Sequence, residues 1–236
     1  MRADRLVSER LGISRNQASE LIALGGVLAD KAIIAKSSQI LRDDAHIEQL
    51  GDVYVGRAAL KLKTYLASSG FSVAGLSVLD VGCSTGGFMQ VLLSSGVASV
   101  LGVDVGQGQI SPLILQDTRA RVFEQTDIRG FKSDDKFDLI TCDVSFISLK
   151  LILEALCKNA KVGASIILLF KPQFEVGKEA RRSKKGVVLD KKAILSAQKS
   201  FELEAARLNL VLADTRECGI LGKEGNVEYF YRFVRA

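Results

Sequence analysis

The sequence is poor in the residues that build metal centres and disulfide frameworks. Its 236 residues include one histidine, His46, and four cysteines, Cys83, Cys142, Cys157 and Cys218. No two cysteines form a C-x-x-C pair, so Cys and His spacing offers no zinc site and no metal is expected. Isolated cysteines suit a reducing compartment, and a cytoplasmic location is expected. Tryptophan is absent and aromatics are sparse. No run reaches the roughly 18 apolar residues of a membrane span. The opening Met1-Arg2-Ala3-Asp4-Arg5 lacks the apolar core of a signal peptide. What is present is the balance of a soluble globular chain, 47% hydrophobic and 25% charged. The length accommodates one large domain, or a small one joined to a medium one. A net charge of +5 permits a polyanionic partner without demanding one.

One stretch organises the rest: Asp80-Val81-Gly82-Cys83-Ser84-Thr85-Gly86-Gly87-Phe88. A short apolar run, Leu76 to Leu79, precedes it, and a helical pattern follows from Met89. Strand, glycine turn and helix start are the parts of a nucleotide pocket at the carboxyl end of a parallel sheet. Glycines let the backbone turn sharply beside a ligand, and free amides at the helix start face a polar group. A bare strand–helix turn would need the same glycines. Asp104 ends the next apolar run, 22 residues after Gly82. An acid there accepts hydrogen bonds from both ribose hydroxyls of an adenosine ligand. Val105 follows it. Asp127, after a third strand at 121–124, is placed to meet an adenine amino group, with Ile128 packing on the ring.

Apolar runs at 76–79, 97–103, 138–141, 165–170 and 210–213 alternate with helical patterns near 87–95, 110–118, 149–160 and 190–208. A final strand is expected over 227–234. This alternation predicts an α/β fold, a Rossmann-like, mostly parallel sheet covered on both faces. Three strand ends carry chemistry. Asp143 ends the fourth strand, and Lys171 follows five apolar residues ending at Phe170. Glu228 opens the last, aromatic strand. Ala58, Ala59, Leu62, Tyr65 and Leu66 share one helix face, where Lys61 taken alone reads as a snorkelling lysine.

Residues 1–50 read as a separate α+β unit. Leu6, Leu11, Ala18, Leu21 and Ile22 keep helical spacing. Ser14 is a plausible N-cap for a helix from Arg15 to Leu24, ended by Gly25-Gly26. Val27 to Ala29 and Ile33-Ile34 suggest a hairpin around Asp30-Lys31, with further short strands at Ile40 and at 46–48. Seven basic and seven acidic side chains leave this segment no net field. Gly51-Asp52 marks a linker, so the expected division is 1–50, a linker and lead-in at 51–59, and a catalytic domain at 60–236. A run at 178–186 holds five cations and one acid, and reads either as a mobile loop gripping phosphates or as a solvated loop.

Two resemblances follow from these motifs. Residues 1–50 resemble the RNA-binding module named after small-subunit ribosomal protein S-four, except that Asp30-Lys31 stands where that family has Asn-Gly. The resemblance implies RNA contacts by Arg2, Arg5, Arg15, Lys31 and Lys36. The motifs R-A-A-L-K-L, D-V-G-C-S-T-G-G-F, C-D-V-S-F-I-S-L, F-K-P-Q-F-E and G-N-V-E-Y-F behind that module resemble the TlyA family. These are cytidine 2′-O-methyltransferases of ribosomal RNA, also labelled haemolysins, with a catalytic domain similar to FtsJ.

The resemblance implies a Lys61–Asp143–Lys171–Glu228 tetrad and S-adenosylmethionine as cofactor. The cofactor would be held by Asp80, Gly82, Ser84, Thr85, Gly86, Gly87, Phe88, Asp104, Val105, Asp127, Ile128 and Asp143. Ribosomal RNA or a ribosomal subunit would be the partner, with Arg57, Arg181, Arg182, Lys184 and Lys185 added to its contacts. A ribose hydroxyl is a weak nucleophile until a base takes its proton, and a lysine is such a base only when its pKa falls from about 10.4. Lys171 is the expected base. The competing readings are a catalytically silent RNA-binding assembly factor, a haemolysin and, least favoured, a dinucleotide oxidoreductase.

Overall fold

The computed structural model describes residues 1–23, 26–49 and 54–236. They fall into two compact units, Met1–Arg57 and Ala58–Ala236.

In the first unit, helices α1 (Ala3–Leu11) and α2 (Arg15–Ala23) accompany a three-stranded antiparallel sheet. Its strands are β1 (Val27–Ala29), β2 (Ala32–Ile33) and β3 (Ile47–Gln49), in the order β2-β1-β3. Ser14 caps α2 as expected, in a reciprocal box. Its Oγ accepts from Gln17 N at 3.2 Å, while Gln17 Oε1 accepts from Ser14 N at 2.8 Å. The predicted end at Leu24-Gly25 and the predicted linker at Gly51-Asp52 lie outside the described residues. Leu6, Val7, Ile22, Val27 and Ile34 form the small core. Ile40 does not build a strand: it makes one isolated bridge to Arg2 and its side chain faces solvent.

The hairpin tip, Asp30-Lys31, puts two non-glycine residues in the left-handed region. Asp30 and Lys31 have φ of 48° and 68°, and Ala29 pairs with Ala32. Positive φ at both central residues is the two-residue turn that matches the twist of a hairpin. Asp30 tolerates it because its carboxylate accepts from His46 N at 2.9 Å. Lys31 has no such compensation of its own kind, and an L-residue there costs on the order of 1 kcal/mol.

The second unit opens with α3 (Ala58–Ser69) and continues into a seven-stranded sheet. Its strands are β4 (Ser77–Val81), β5 (Ser99–Val103), β6 (Ala120–Phe123), β7 (Phe137–Cys142), β8 (Ala160–Phe170), β9 (Leu210–Glu217) and β10 (Tyr229–Arg235). The order is β6-β5-β4-β7-β8-β10-β9. The first five strands are parallel, and β10 runs antiparallel to both neighbours. The helices between strands are α4 (Gly87–Ser94), α5 (Pro112–Leu115), α6 (Leu153–Asn159), α7 (Pro172–Glu175) and α8 (Lys191–Arg207). Because β5 and β6 build outward on one side of β4 and β7 starts the other, β4 and β7 flank the switch point where a ligand crevice opens.

Two predicted helices are shorter than their apolar patterns. The pattern at 110–118 becomes the single turn α5, because Glu124 draws the preceding loop out of helix by accepting from the amides of Gly108, Gln109 and Ile110. The pattern at 149–160 splits into a 3₁₀ turn, Leu149–Leu151, and α6. Glu175 anchors that turn by accepting from Ser148 Oγ at 2.6 Å and Leu149 N at 2.7 Å.

Replacing Lys31 with glycine is expected to stabilise the hairpin by about 1 kcal/mol. Slower amide hydrogen exchange over residues 27–34 would register it; unchanged or faster exchange would contradict the turn assignment.

Candidate active site

The site begins with a steric requirement at Gly82. Its φ is +80°, and a Cβ there would stand 2.8 Å from the Asp143 carbonyl oxygen. Gly82 N donates to Val103 O at 2.8 Å, and Asp143 N donates to Val81 O at 3.0 Å. The ends of β4, β5 and β7 are thus stitched together within one residue. Asp80, just before, is buried within β4. One carboxylate oxygen accepts from Thr141 Oγ1 at 2.6 Å, and the other has no partner. Burial, opposed by the Thr141 bond and reinforced by the charges of Asp143 and Asp104, pushes its carboxyl up to about 7.

Past the turn lies a cleft of about 350 Å³, within the size range of small-ligand sites. Gly82, Ser84, Asp104, Val105, Asp127, Ile128 and Asp143, all among the residues expected to hold a cofactor, line it. Asp104 is held rigidly: Ser84 N donates to its Oδ2 at 2.8 Å and Gly106 N to its Oδ1 at 2.7 Å. Each oxygen keeps a further lone pair for a ligand hydroxyl. Asp127 forks with Arg129, at 2.6 Å to Nη2. The other predicted cofactor residues, Asp80, Thr85, Gly86, Gly87 and Phe88, are not among the lining residues. Phe88 is buried and stacks on Phe230 at 6.4 Å, and a Cβ on Gly86 would meet Ile114 Cγ1 at 2.5 Å. Gly86 is therefore a packing glycine against α5, and Phe88 is core. The sequence reading missed Gln109, Thr126, Val144, Ser145, Phe146 and Ile147 in the lining. Phe146 could have been singled out, since it is an aromatic three residues after a strand-end acid; it has φ of +66° and is 91% exposed.

The four chemistry-bearing residues come together as two ion pairs. Tyr229 pairs with Phe170 in the β10–β8 ladder, so continuing that register sets Glu228 across from Lys171. Asp143 directly follows β7, the neighbour of β8 on its other side. Lys171 Nζ meets Asp143 Oδ1 at 2.5 Å in an ion pair outside hydrogen-bond geometry, and donates its hydrogen bond to Ser145 Oγ at 3.0 Å.

Lys61 reaches the site by a matching of periods. Tyr65 stacks on Phe230 at 4.5 Å. One helical turn back from Tyr65 is Lys61, and two strand residues back from Phe230 is Glu228. The two steps are roughly 6 and 7 Å, so the second pair meets where the first does. Lys61 Nζ donates to Glu228 Oε2 at 2.7 Å. Lys61 is only 7% exposed, so it does not snorkel, and Glu228 is 2% exposed. Glu228 Oε1 also accepts from Gln173 Nε2 at 3.4 Å.

The predicted RNA contacts are placed unevenly. Arg2 and Arg15 both bind the buried Asp4, at 3.0 and 2.9 Å, and remain half-exposed. Arg5 pairs with Glu9 at 2.9 Å, Lys31 sits on the hairpin tip and Lys36 is exposed. Arg57 is the last residue of the first unit. The basic run is an ordered hairpin in which Arg182 bridges to Val188. Arg181, Lys184 and Lys185 point outward, but Arg182 turns in and donates to Gln173 O at 3.1 Å and Val176 O at 3.4 Å.

A reversed last strand on a parallel sheet, with a glycine turn and an acid-lined cleft at the switch point, defines a Rossmann-like methyltransferase. The chain belongs to the TlyA branch of the FtsJ-like methyltransferase family, whose model matches residues 54–235. It is 43% identical, over the full length of both chains, to a Campylobacter jejuni protein named 23S rRNA (cytidine-2′-O)-methyltransferase TlyA. It is 38% identical to a Mycobacterium tuberculosis 16S/23S rRNA (cytidine-2′-O)-methyltransferase TlyA, over 95% of this chain and 86% of that one. A solved Streptococcus thermophilus structure described as a hemolysin superposes with a TM-score of 0.76 at 31% identity, covering 100% of this chain and 88% of that one.

Asp80 makes the fold itself sensitive to pH. Its folded pKa lies above the ordinary value of 3.8, so the folded state holds the proton more tightly than the unfolded chain. Stability therefore falls as pH rises between about 4 and 7, by up to roughly 4 kcal/mol. Asp80→Asn keeps an acceptor for Thr141 and is expected to flatten that slope and raise Tm at pH ~8. An unchanged Tm–pH profile would contradict this.

Proposed function

We propose that the protein transfers a methyl group from S-adenosylmethionine to the ribose 2′-hydroxyl of a cytidine in ribosomal RNA. The observation that carries this reading is the Lys171–Asp143 pair at the rim of a cleft whose floor holds Asp104. The cleft chemistry fits this cofactor better than a dinucleotide. Asp104, Asp127 and Asp143 line the cleft, and the charges of Asp143 and Asp104 add to the burial that pushes the Asp80 carboxyl beneath it up. Such an acidic lining repels a pyrophosphate and favours a ligand bearing a sulfonium and an ammonium. Asp104 would take the ribose hydroxyls, Val105 and Ile128 the faces of the adenine, and Asp127 its amino group. When bound, the cofactor supplies a methyl carbon made electrophilic by the sulfonium.

The chain's own residues would do the rest by positioning and proton transfer. Lys171 Nζ would take the proton of a ribose 2′-hydroxyl brought to the cleft, leaving its oxygen able to accept the methyl group that the cofactor would supply. Ser145 and Asp143 fix the direction of Nζ. Lys61 and Glu228, with Gln173, form a closed pair behind it that holds the end of β10 in place. The exposed face of Phe146, tilted on Phe174 at 5.1 Å, is a surface for the target base. The first unit would serve as an S-four-type RNA-binding module, with Arg2 and Arg15 presented in fixed orientation. Ribosomal RNA as substrate would suit a cytoplasmic enzyme. Among the described residues, no helix is long and apolar enough to cross a membrane.

Lys171→Ala is expected to abolish methyl transfer to ribosomal subunits while S-adenosylmethionine affinity, measured by calorimetry, stays within about threefold. Activity equal to wild type would remove Lys171 from the reaction. A second expectation concerns the hairpin. Replacing Lys178, Arg181, Lys184 and Lys185 by alanine should weaken subunit binding and flatten the slope of log K against log salt by roughly 0.7–0.9 for each phosphate no longer neutralised. A slope identical to wild type would take the hairpin out of the RNA interface.

A further inference from the structure

The basic hairpin is fastened on two sides. On one side, the Arg182 guanidinium donates to Gln173 O and Val176 O, at 3.1 and 3.4 Å. These carbonyls belong to the turn that follows Lys171 directly, the turn whose Phe174 N donates back to Lys171 O at 2.9 Å. On the other side, Asn226 is 4% exposed and two residues ahead of Glu228. Its Oδ1 accepts from Val188 N at 2.9 Å, and its Nδ2 donates to Gly186 O at 3.5 Å. Asn226 O in turn accepts from Gly222 N at 2.8 Å. Gly222 backs directly onto Glu228: a Cβ there would stand 2.5 Å from Glu228 Oε1. Gln173 completes the ring, since its backbone carbonyl takes Arg182 while its side-chain amide reaches Glu228.

The hairpin itself is a defined structure. Ser183 N donates to Val187 O at 2.8 Å, Leu189 N to Arg181 O at 2.9 Å, and Gly186 takes a φ of +80° at the tip. Its outward cations and its inward anchors are therefore parts of one rigid piece. A load on Lys184 or Lys185 is carried to the backbone on either side of the lysine–carboxylate site.

We infer that Arg182 and Asn226 are positioning residues that tie phosphate binding on this hairpin to the alignment of Lys171 and Glu228. The inference rests on the methyltransferase reading above. Neither side chain touches the cleft, and neither has a proton to give in the reaction. Their effect is on where Lys171 and Glu228 stand when RNA is engaged. An RNA that fails to load the hairpin would be bound by other contacts and methylated slowly, so the device adds selectivity at the chemical step.

The test uses the full chain and intact ribosomal subunits, with kcat and KM determined separately, S-adenosylmethionine affinity by calorimetry, and Tm. Asn226→Ala and Arg182→Lys are each expected to lower kcat about tenfold to a hundredfold, the scale of a small misplacement of reacting groups. Cofactor affinity should stay within about twofold, and KM for the subunit should change far less than kcat. Lys184→Ala/Lys185→Ala, which unloads the hairpin itself, should lower kcat in the same direction and raise KM in addition; a change in KM with wild-type kcat would overturn the inference. Asn226→Asp keeps the acceptor for Val188 N and should recover part of the missing kcat. Wild-type kcat in both anchor variants, or a drop in kcat matched by weakened cofactor affinity, would overturn the inference. If Asn226→Ala does not fold, Arg182→Lys decides, because it keeps the charge and removes only the two-carbonyl fork. Failure of the underlying reading looks different: the wild-type protein itself would transfer no methyl to RNA, or Lys171→Ala would turn over normally.

Discussion

The site depends on one close approach, that of the Gly82 backbone to the Asp143 carbonyl. Any Cβ at position 82 would stand 2.8 Å from that oxygen, and the φ of +80° independently favours glycine. What the approach secures is the meeting of three strand ends. Val103 receives the Gly82 amide and Val81 receives the Asp143 amide, so the acids at the ends of β5 and β7 face each other across the turn. Asp143 then orients Lys171, and β8 and β10 bring Glu228 alongside. Forcing the β7 end outward would disturb the cleft and the lysine pair together, because Asp143 belongs to both.

The two lysine–carboxylate pairs have the same composition and different surroundings. Lys61–Glu228 is closed in, with side chains 9% and 3% exposed, and Gln173 occupies the second carboxylate oxygen. Lys171–Asp143 is also shielded, but Asp143 lines the cleft. A buried ion pair is weak evidence for stability, since its desolvation offsets much of its attraction and an apolar pair often does as well. Two such pairs in a sheet otherwise closed by Leu, Ile and Phe are better explained by a requirement of the chemistry. The closed pair supplies rigidity behind, and the pair at the cleft supplies a lysine nitrogen with a fixed direction.

Much of this was legible in the sequence, for definite reasons. Parallel strands buried on both faces read as unbroken apolar runs, so the first polar residue after each run announces the ligand edge: Asp104, Asp143 and Lys171 stand out in this way. Lys61 was not legible from its own neighbourhood. Its partner is 167 residues away, and only the packing of Tyr65 on Phe230 turns a lysine on an amphipathic helix into a buried one. The glycine turn carries a second task that the sequence did not show, because the same residues that admit a ligand also admit core packing. Gly86 accommodates Ile114, and Phe88 joins Tyr65 around Phe230. Arg182 was indistinguishable in the sequence from Arg181, since the carbonyls that claim it belong to the turn formed around Pro172 to Val176.

In the RNA-binding role proposed for the first unit, the same logic would apply. Its formal charges cancel, which by itself argues against a phosphate-binding surface. Yet the cancellation is local. Hydrogen bonds from Arg2 and Arg15 hold the Asp4 carboxyl well below the usual carboxylate range, so that acid stays ionised and keeps both guanidinium groups in place. Each arginine donates to Asp4 and remains half-exposed. A guanidinium has five donors, so a carboxylate on one edge leaves the other edge free for a phosphate. The cost is a weaker long-range field; the gain is that less side-chain freedom is given up on binding. The hairpin of the second unit makes the complementary choice. One of its arginines is spent on anchoring, and its remaining cations point outward without close acidic partners among the described residues. The hairpin would therefore contribute most of the salt-dependent attraction, and the first unit most of the orientation.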